Sequence, residues 1–402
     1  MTGLPPDSDV VIVGAGPAGL SAAAALAGLG HKVLVLDREA TPGGVPRHCT
    51  HSPYGLREFA RPMTGPRYAK ALTHKAKSAG AQIATGITVT RLLPGPALEI
   101  TGPHGPATLH PRAVLLATGA RESTRSERLI GGTKPQGVLS TGALQLLLGA
   151  GARPFHRPVI LGTELVAFSA LLSCRLAGIR PVAMVEPGPR TAARWPTGLF
   201  PRLQGIPVHY GTGIRAIHGH TRVTGVLLDN DLLIPCDGLL VTGRFKPDAP
   251  LLAGSPIAID PATGGPEIDQ YGRCTAPGYF AAGNLLRAVE TAGWCWAEGR
   301  AIAGAIHAHL SGTLPEGAGT RIAATGTISA VIPQRVSPGP RLGLPALQLQ
   351  VSQPGHGHLS LQASGHILAG RRLHARPHRR LLLPLPPPGK PATVGLTPDT
   401  DP

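Results

Sequence analysis

The segment Asp9-Val10-Val11-Ile12-Val13-Gly14-Ala15-Gly16-Pro17-Ala18-Gly19 constrains this chain more than any other. Its apolar run reads as a buried parallel strand, and Gly14, Gly16 and Gly19 supply the G-x-G-x-x-G spacing that turns such a strand into a helix. Gly14 permits the tight turn, Gly16 lets a pyrophosphate approach the backbone, and Gly19 lets the helix pack close to the sheet. Pro17 and Ala18 open the helix, where free N–H groups and the positive end of the dipole favour phosphate. The Ala-rich stretch 20–29 continues the helix, and Gly28 and Gly30 stop it. A second strand, 32–36, ends on Asp37 with Arg38 beside it. Asp37 falls about twenty residues beyond the glycines, where a ribose hydroxyl needs an acceptor.

A chain of 402 residues is long enough for two or three domains with real cores. The net charge of +16 invites nucleic acid or an anionic membrane as partner, but the basic residues are scattered and only 3% of residues are aromatic. A basic surface that draws anionic ligands or an acidic partner fits better, and no nucleic-acid partner is expected. Cys49, Cys174, Cys236, Cys274 and Cys295 form no C-x-x-C and no metal-ligand spacing, so they read as free thiols in a reducing compartment. The first residues have neither a basic start nor an apolar core of a leader, and no apolar run reaches membrane-span length. A cytoplasmic protein without an integral membrane segment is the expectation.

Beyond Ala40 comes the loop Thr41-Pro42-Gly43-Gly44-Val45-Pro46-Arg47-His48-Cys49-Thr50-His51. A helical stretch, 68–79, leads to short β patterns at 88–93, 97–101 and 107–109, and then to the buried strand 113–117 with its Thr118-Gly119 turn. A second strand–helix–strand unit begins at 158–162, with a helix over 166–177 and a strand over 181–186. A long helix is expected from Thr291 to Leu310, and alternating strands lie beyond Gly312. The expected architecture is α/β, with two Rossmann-like dinucleotide-binding domains built on mostly parallel three-layer sheets. Residues 1–123 and 235–312 form the first domain, 124–234 form a second inserted into it, and 313–402 form a small β-rich module. The proline-rich end, 381–402, is expected to be disordered.

Three further segments extend the pattern: Leu116-Ala117-Thr118-Gly119-Ala120-Arg121-Glu122, Asp237 to Arg244, and Thr275 to Asn284. With the opening turn, they give the chain a resemblance to pyridine nucleotide-disulfide oxidoreductase-type flavoproteins over roughly residues 8 to 312. The resemblance implies FAD, with Gly14, Gly16, Pro17, Ala18 and Gly19 at the pyrophosphate and Asp37 and Arg38 at the adenosine end. It also implies contacts from Gly44, Arg47, Ala117, Thr118, Gly119, Gly283 and Thr291, and places Asn284 near the ribityl hydroxyls. Most relatives carry Asp at that last position, so Asn284 removes one negative charge. Residues 43–49, 54–59 and 291–300 look in addition like the flavin subunits of opine oxidase, hydrogen cyanide synthase and dye-linked proline dehydrogenase complexes. Such relatives oxidise amines or amino acids and commonly act with a second flavoprotein subunit. Many carry a cysteine-bound [2Fe–2S] cluster, for which this sequence has no cysteine after Cys295.

The second turn, Gly162-Thr163-Glu164-Leu165-Val166-Ala167, departs most from the pattern. Glu164 stands where a glycine should face the pyrophosphate, which makes NAD(P) binding doubtful, although Glu186 at the next strand end still suits a ribose. Cys49 lies where related disulfide reductases keep a redox cysteine, without its second cysteine; it reads either as a single reactive thiol or as a buried structural one. His48 is a candidate acid/base for amine chemistry, or polar lining. His374 and His378 have i, i+4 spacing but basic, proline-containing surroundings, so a solvated basic surface fits better than a metal site. The reading is the flavin subunit of an amine or amino-acid dehydrogenase. The alternatives are an NAD(P)H-dependent reductase and a non-catalytic FAD-binding scaffold.

Overall fold

The computed structural model describes residues 7–399 apart from 289, 318 and 378. The leader pattern sought at residues 1–6, the spacing at His378 and the last residues of the proline-rich end lie outside the described residues. Strand β1 (Val10–Val13) is wholly buried and runs into α1 (Pro17–Gly28), then β2 (Val33–Asp37). Helix α2 (Gly65–Ser78) leads to β3 (Gln82–Thr85), and β4 (Ala113–Leu116) follows an antiparallel three-stranded excursion over 88–109. The second unit comprises α3 (Thr141–Gly149), β5 (Pro158–Leu161), α4 (Leu165–Leu176), β6 (Ala183–Glu186), β7 (Val208–Tyr210) and β8 (Gly238–Val241). Strand β9 (Tyr279–Ala281) and α5 (Ala292–Leu310) then return to the first unit.

The first sheet has the order β9-β4-β1-β2-β3, all parallel, with Val10 opposite both Val33 and Ala113. Strand order reverses between β1 and β4, which opens a crevice at the carboxyl ends of these strands. Helices α1 and α5 cross closely, because a Cβ on Gly299 would run into the backbone carbonyl of Ala18. In the second sheet β8-β5-β6-β7 are parallel and β8 also pairs with 138–139. Both sheets are apolar on both faces, as helix-covered parallel sheets must be.

Beyond α5 lie two small sheets. One places β14 (Ala392–Pro398) between Thr320–Gly326 and β11 (Gly355–Ala363), with β12 (His366–Ala375) at its edge. The other joins Ile328–Ile332, β10 (Ala346–Val351) and β13 (Leu381–Pro384). Within the proline-rich end, Leu381–Pro384 and Ala392–Pro398 are therefore paired strands rather than disordered tail. Leu381 and Leu383, then Ala392, Val394 and Leu396, alternate inward on a period of two and fill the module's own core. Buried polar contacts fasten the module to the first unit: Ser337 Oγ donates to Asp269 Oδ2 at 2.9 Å, and Gln334 Nε2 to Asp260 Oδ2 at 3.0 Å.

Candidate functional site

The first glycine turn is held open by its neighbours. Gly14 has φ +108°, and a Cβ there would lie 2.5 Å from the Ala117 carbonyl oxygen, so the turn and the β4 end close on one another only through glycine. A Cβ on Gly16, by contrast, meets no protein atom within 4 Å. That empty space at the amino end of α1 is the cradle a pyrophosphate requires, with the unbonded N–H groups of the first helical turn facing it. Asp37 is buried: Oδ2 accepts from Ala15 N at 2.7 Å and Oδ1 from Glu39 N at 2.9 Å. Its carboxylate thus braces the turn as well as ending β2.

Of the other predicted positions, Gly44, Ala117, Thr118 and Gly283 abut this turn or its helix, and the rest hold the neighbouring loops. Gly43 N donates to Ala15 O at 2.8 Å, which folds the 41–49 loop onto the turn, and a Cβ on Gly44 would stand 2.8 Å from Gly16 Cα. Arg47 donates to Thr41 O at 2.8 Å and pairs with Glu39 at 2.9 Å, so it stiffens that loop. Thr118 Oγ1 donates to Asp248 O at 2.8 Å, Asp248 N to Gly119 O at 2.9 Å, and Arg38 reaches the Asp248 carboxylate at 3.3 Å. Gly283, at φ +75°, abuts Ala18: a Cβ would lie 2.9 Å from the Ala18 Cβ. Asn284 exchanges two hydrogen bonds with the Glu290 backbone, 2.8 and 3.1 Å, and clamps the loop ahead of α5. Thr291 is the N-cap residue of α5, and its backbone carbonyl accepts from Trp294 N and Cys295 N. These residues fit FAD. They give an open phosphate cradle at a helix end and a converging set of backbone groups along the crevice.

Cys49 is 4% exposed, its Sγ 3.2 Å from Gln145 Oε1. Burial pushes its thiol above the ordinary value, with smaller opposing help from hydrogen bonds. The lowered pKa that a reactive thiolate needs is absent, because the loop docks on α3 and α4 instead of facing a cation. His51 Nε2 lies 2.5 Å from Ser169 Oγ, and Gln145 Nε2 donates to Ser169 at 2.9 Å and Ser173 at 3.1 Å. This polar seam joins the first unit to the second. Sequence reasoning missed Gln145 and Ser169, since nothing local marks a residue whose partner is about a hundred positions away. The His48 ring is held below its ordinary pKa, first by burial and then by Arg47, so it is neutral near pH 7.

The second turn is built on the same backbone and filled differently. Glu164 has φ −77° and ψ 173°, close to −81° and −176° at Gly16. Its side chain folds back into the turn, accepting from Thr242 Oγ1 at 2.6 Å. A Cβ on Gly162, at φ +120°, would lie 2.9 Å from Glu164 Oε1, and one on Gly243 would lie 2.7 Å from its Cδ. The carboxylate thus occupies the hollow between the turn and the end of β8. Glu186 accepts from Thr163 Oγ1 and, at 2.8 Å, from Gly188 N, so the ribose acceptor is also engaged. A cavity of about 1320 Å³ opens over this turn and is lined by Arg128, Gly162, Glu164, Glu186 and Arg244 among others. Next to it, Glu122 accepts from Gly142 N at 2.9 Å and Gly243 N at 3.3 Å, while burial raises its pKa.

A third cluster went unseen in the sequence. Arg287, 2% exposed, forks onto Glu298, which also accepts from Gln348 Nε2 of β10 at 2.9 Å. Arg57 and Arg380 each stand 3.9 Å from the Trp294 ring centroid. Trp294, at the start of α5, therefore packs between the Leu56–Phe59 helix and the C-terminal module. Among the described residues there is no cluster of metal-ligating side chains, and no helix is long and apolar enough to cross a membrane.

The sequence profile described as pyridine nucleotide-disulphide oxidoreductase matches residues 8–299. An opine oxidase subunit from Rhizobium meliloti (strain 1021) is 30% identical over 181 residues, 44% of this chain and only 38% of that relative's length. Thioredoxin reductase of Treponema pallidum (strain Nichols) is 29% identical over 289 residues, 69% of this chain and 89% of that protein. Among solved structures, thioredoxin reductase from T. acidophilum superposes with a TM-score of 0.65 at 23% identity, covering 76% of this chain and 99% of its own. L-proline dehydrogenase from P. horikoshii gives 0.60 at 17% identity, covering 76% of this chain and 56% of its own. At these identities the superpositions speak for the fold alone.

Proposed function

The chain belongs to the pyridine nucleotide-disulphide oxidoreductase family and is an FAD-dependent oxidoreductase, and from that premise we propose that it takes electrons from an amine or amino acid rather than from a nicotinamide. The observation that carries this reading is the Glu164 carboxylate seated in the second turn. Two unit charges 4 Å apart at an effective dielectric of about 20 repel by about 4 kcal/mol, so a pyrophosphate is disfavoured where Glu164 sits. All five cysteines are free and buried, so the chain also offers no disulfide to reduce. The kinship with opine oxidase supports an amine or amino-acid substrate and a place in a multi-subunit enzyme.

Bound FAD supplies a two-electron acceptor. The first turn and α1 would hold its phosphates, and Asp37 keeps the turn in shape. Neutral His48, on the loop packed against that turn, accepts the proton that an ammonium substrate must lose before oxidation. The amino end of α5, beyond the Asn284 clamp, favours negative charge placed near it. A second flavoprotein subunit or an external acceptor would take the electrons onward.

The test is dye reduction by the purified chain with a panel of opines, proline and other secondary amino acids. Sizing of material purified from its native cells at low and high salt accompanies it. Substrate-dependent turnover and a salt-sensitive larger assembly are expected. A second reading, a nicotinamide-driven reductase, draws on the 89% coverage of thioredoxin reductase. It requires NADH or NADPH to reduce the flavin without an added amine.

A further inference from the structure

The C-terminal module reaches the start of α5 through two side chains. Arg380, just ahead of β13, sets its Nε 3.4 Å from Glu290 Oε1, and its Nη1 donates to Gln348 Oε1 of β10 at 3.0 Å. Gln348 Nε2 in turn donates to Glu298 of α5 at 2.9 Å. The side chains of Arg287, Glu290, Glu298 and Arg380 are 2%, 10%, 6% and 13% exposed, so two cations and two anions face one another with little water between them. The Arg287 guanidinium forks onto Glu298 and stands 3.8 Å from Glu290, which leaves Arg380 as the nearer cation of Glu290. Arg380 also lies 3.9 Å from the Trp294 ring centroid, as does Arg57. Two like charges do not share one face of an indole, so the guanidiniums cover opposite faces.

Glu290 is also the residue that Asn284 grips: its N–H donates to Asn284 Oδ1 at 2.8 Å, and its carbonyl accepts from Asn284 Nδ2 at 3.1 Å. The loop closed in this way follows the carboxyl end of β9, and ligands of open parallel sheets bind at such ends. At its start Gly283 rests on Ala18, in the first turn of α1. One residue thus joins a carboxylate held by the module to a loop beside the FAD cradle. Removing one member of a buried ion pair leaves the other uncompensated, and the surrounding backbone must shift to let water reach it. We propose that Arg380 is a positioning residue of the flavin site: from the C-terminal module it holds Glu290, and through Glu290 the Asn284 loop and the start of α5, against the cradle. The module is thereby part of the flavin site rather than an appendage to it. This role needs FAD at the cradle and is independent of the donor that reduces it.

FAD release from the purified holoprotein, followed as the rise in flavin fluorescence after dilution, tests it. Release is expected to be about tenfold faster or more in Arg380→Gln and in Glu290→Gln. Arg380→Lys, which restores a cation beside Glu290, should stay within about threefold of the wild type. In the double variant Arg380→Gln/Glu290→Gln, release should match the faster single variant, because both changes remove one interaction. Leu396→Ala is the control for damage to the module: it opens a hole in that core and lowers the melting temperature, yet should leave release within about twofold. Glu290→Gln lies on the first unit, so it decides the matter even where Arg380→Gln fails to fold. Wild-type release from folded Arg380→Gln or Glu290→Gln, or single effects that multiply in the double variant, would overturn the role. So would Arg380→Lys or Leu396→Ala losing FAD as fast as Arg380→Gln.

Discussion

The chain carries two strand–turn–helix units of one design, and the residue that faces the phosphate hollow is Gly16 in the first and Glu164 in the second. At the first turn, Gly16 leaves a hollow that no protein atom enters. At the second, Glu164 has nearly the same backbone angles and puts its carboxylate into the hollow, where Thr242 holds it. Backbone geometry is therefore not what separates a phosphate cradle from a closed turn. The side chain decides, through charge and volume together.

The largest effect should come from giving the first turn a side chain. Gly16→Val is expected to fold, because its Cβ meets no protein atom, yet to be colourless after purification, with circular dichroism as the check on folding. A yellow Gly16→Val protein would break the comparison at its better-defined end. Next is the loop that closes over that turn. His48→Asn should lower the rate of flavin reduction by substrate about 100-fold, the usual scale for losing a general base. Since burial and Arg47 lower the folded-state pKa of His48, its base form already predominates at the ordinary value of 6.5. The wild-type rate should fall only as pH drops through the lowered value, and His48→Asn should flatten that acid limb.

Smaller again, and of opposite sign, Glu164→Gly should tighten NADH or NADPH binding about tenfold or more, a gain of roughly 1.4 kcal/mol. Glu164→Gln keeps the volume and removes the charge, so it separates the two causes; binding halfway between would give each a share. The smallest effect belongs to Cys49→Ser. Its thiol is buried and its pKa is raised, so substrate-driven flavin reduction should stay within about twofold and iodoacetamide should leave the wild type unmodified through neutral pH.

What the sequence made legible follows from distance along the chain. The first turn, its strand and Asp37 sit within about thirty residues and announce themselves through glycine spacing and an apolar run. Glu164 was visible as a misfit for the same reason. The Gln145–Cys49 seam and the Arg287–Glu298–Gln348 network bring together residues from separate elements, and no local pattern marks either partner. In the C-terminal module, prolines and glycines masked the alternation of Leu381, Leu383, Val394 and Leu396. Their strand character becomes evident only once β13 is seen paired with β10, and β14 between Thr320–Gly326 and β11.

Anaerobic titration of the yellow wild-type protein, followed at the flavin absorbance, tests the contrast between the two turns most directly. NADH and NADPH at millimolar concentration should leave the oxidised spectrum intact, while an amine or amino-acid substrate bleaches it stoichiometrically. Rapid bleaching by either nicotinamide, with no response to any amine, would contradict the account and make the second turn a working nucleotide site despite Glu164.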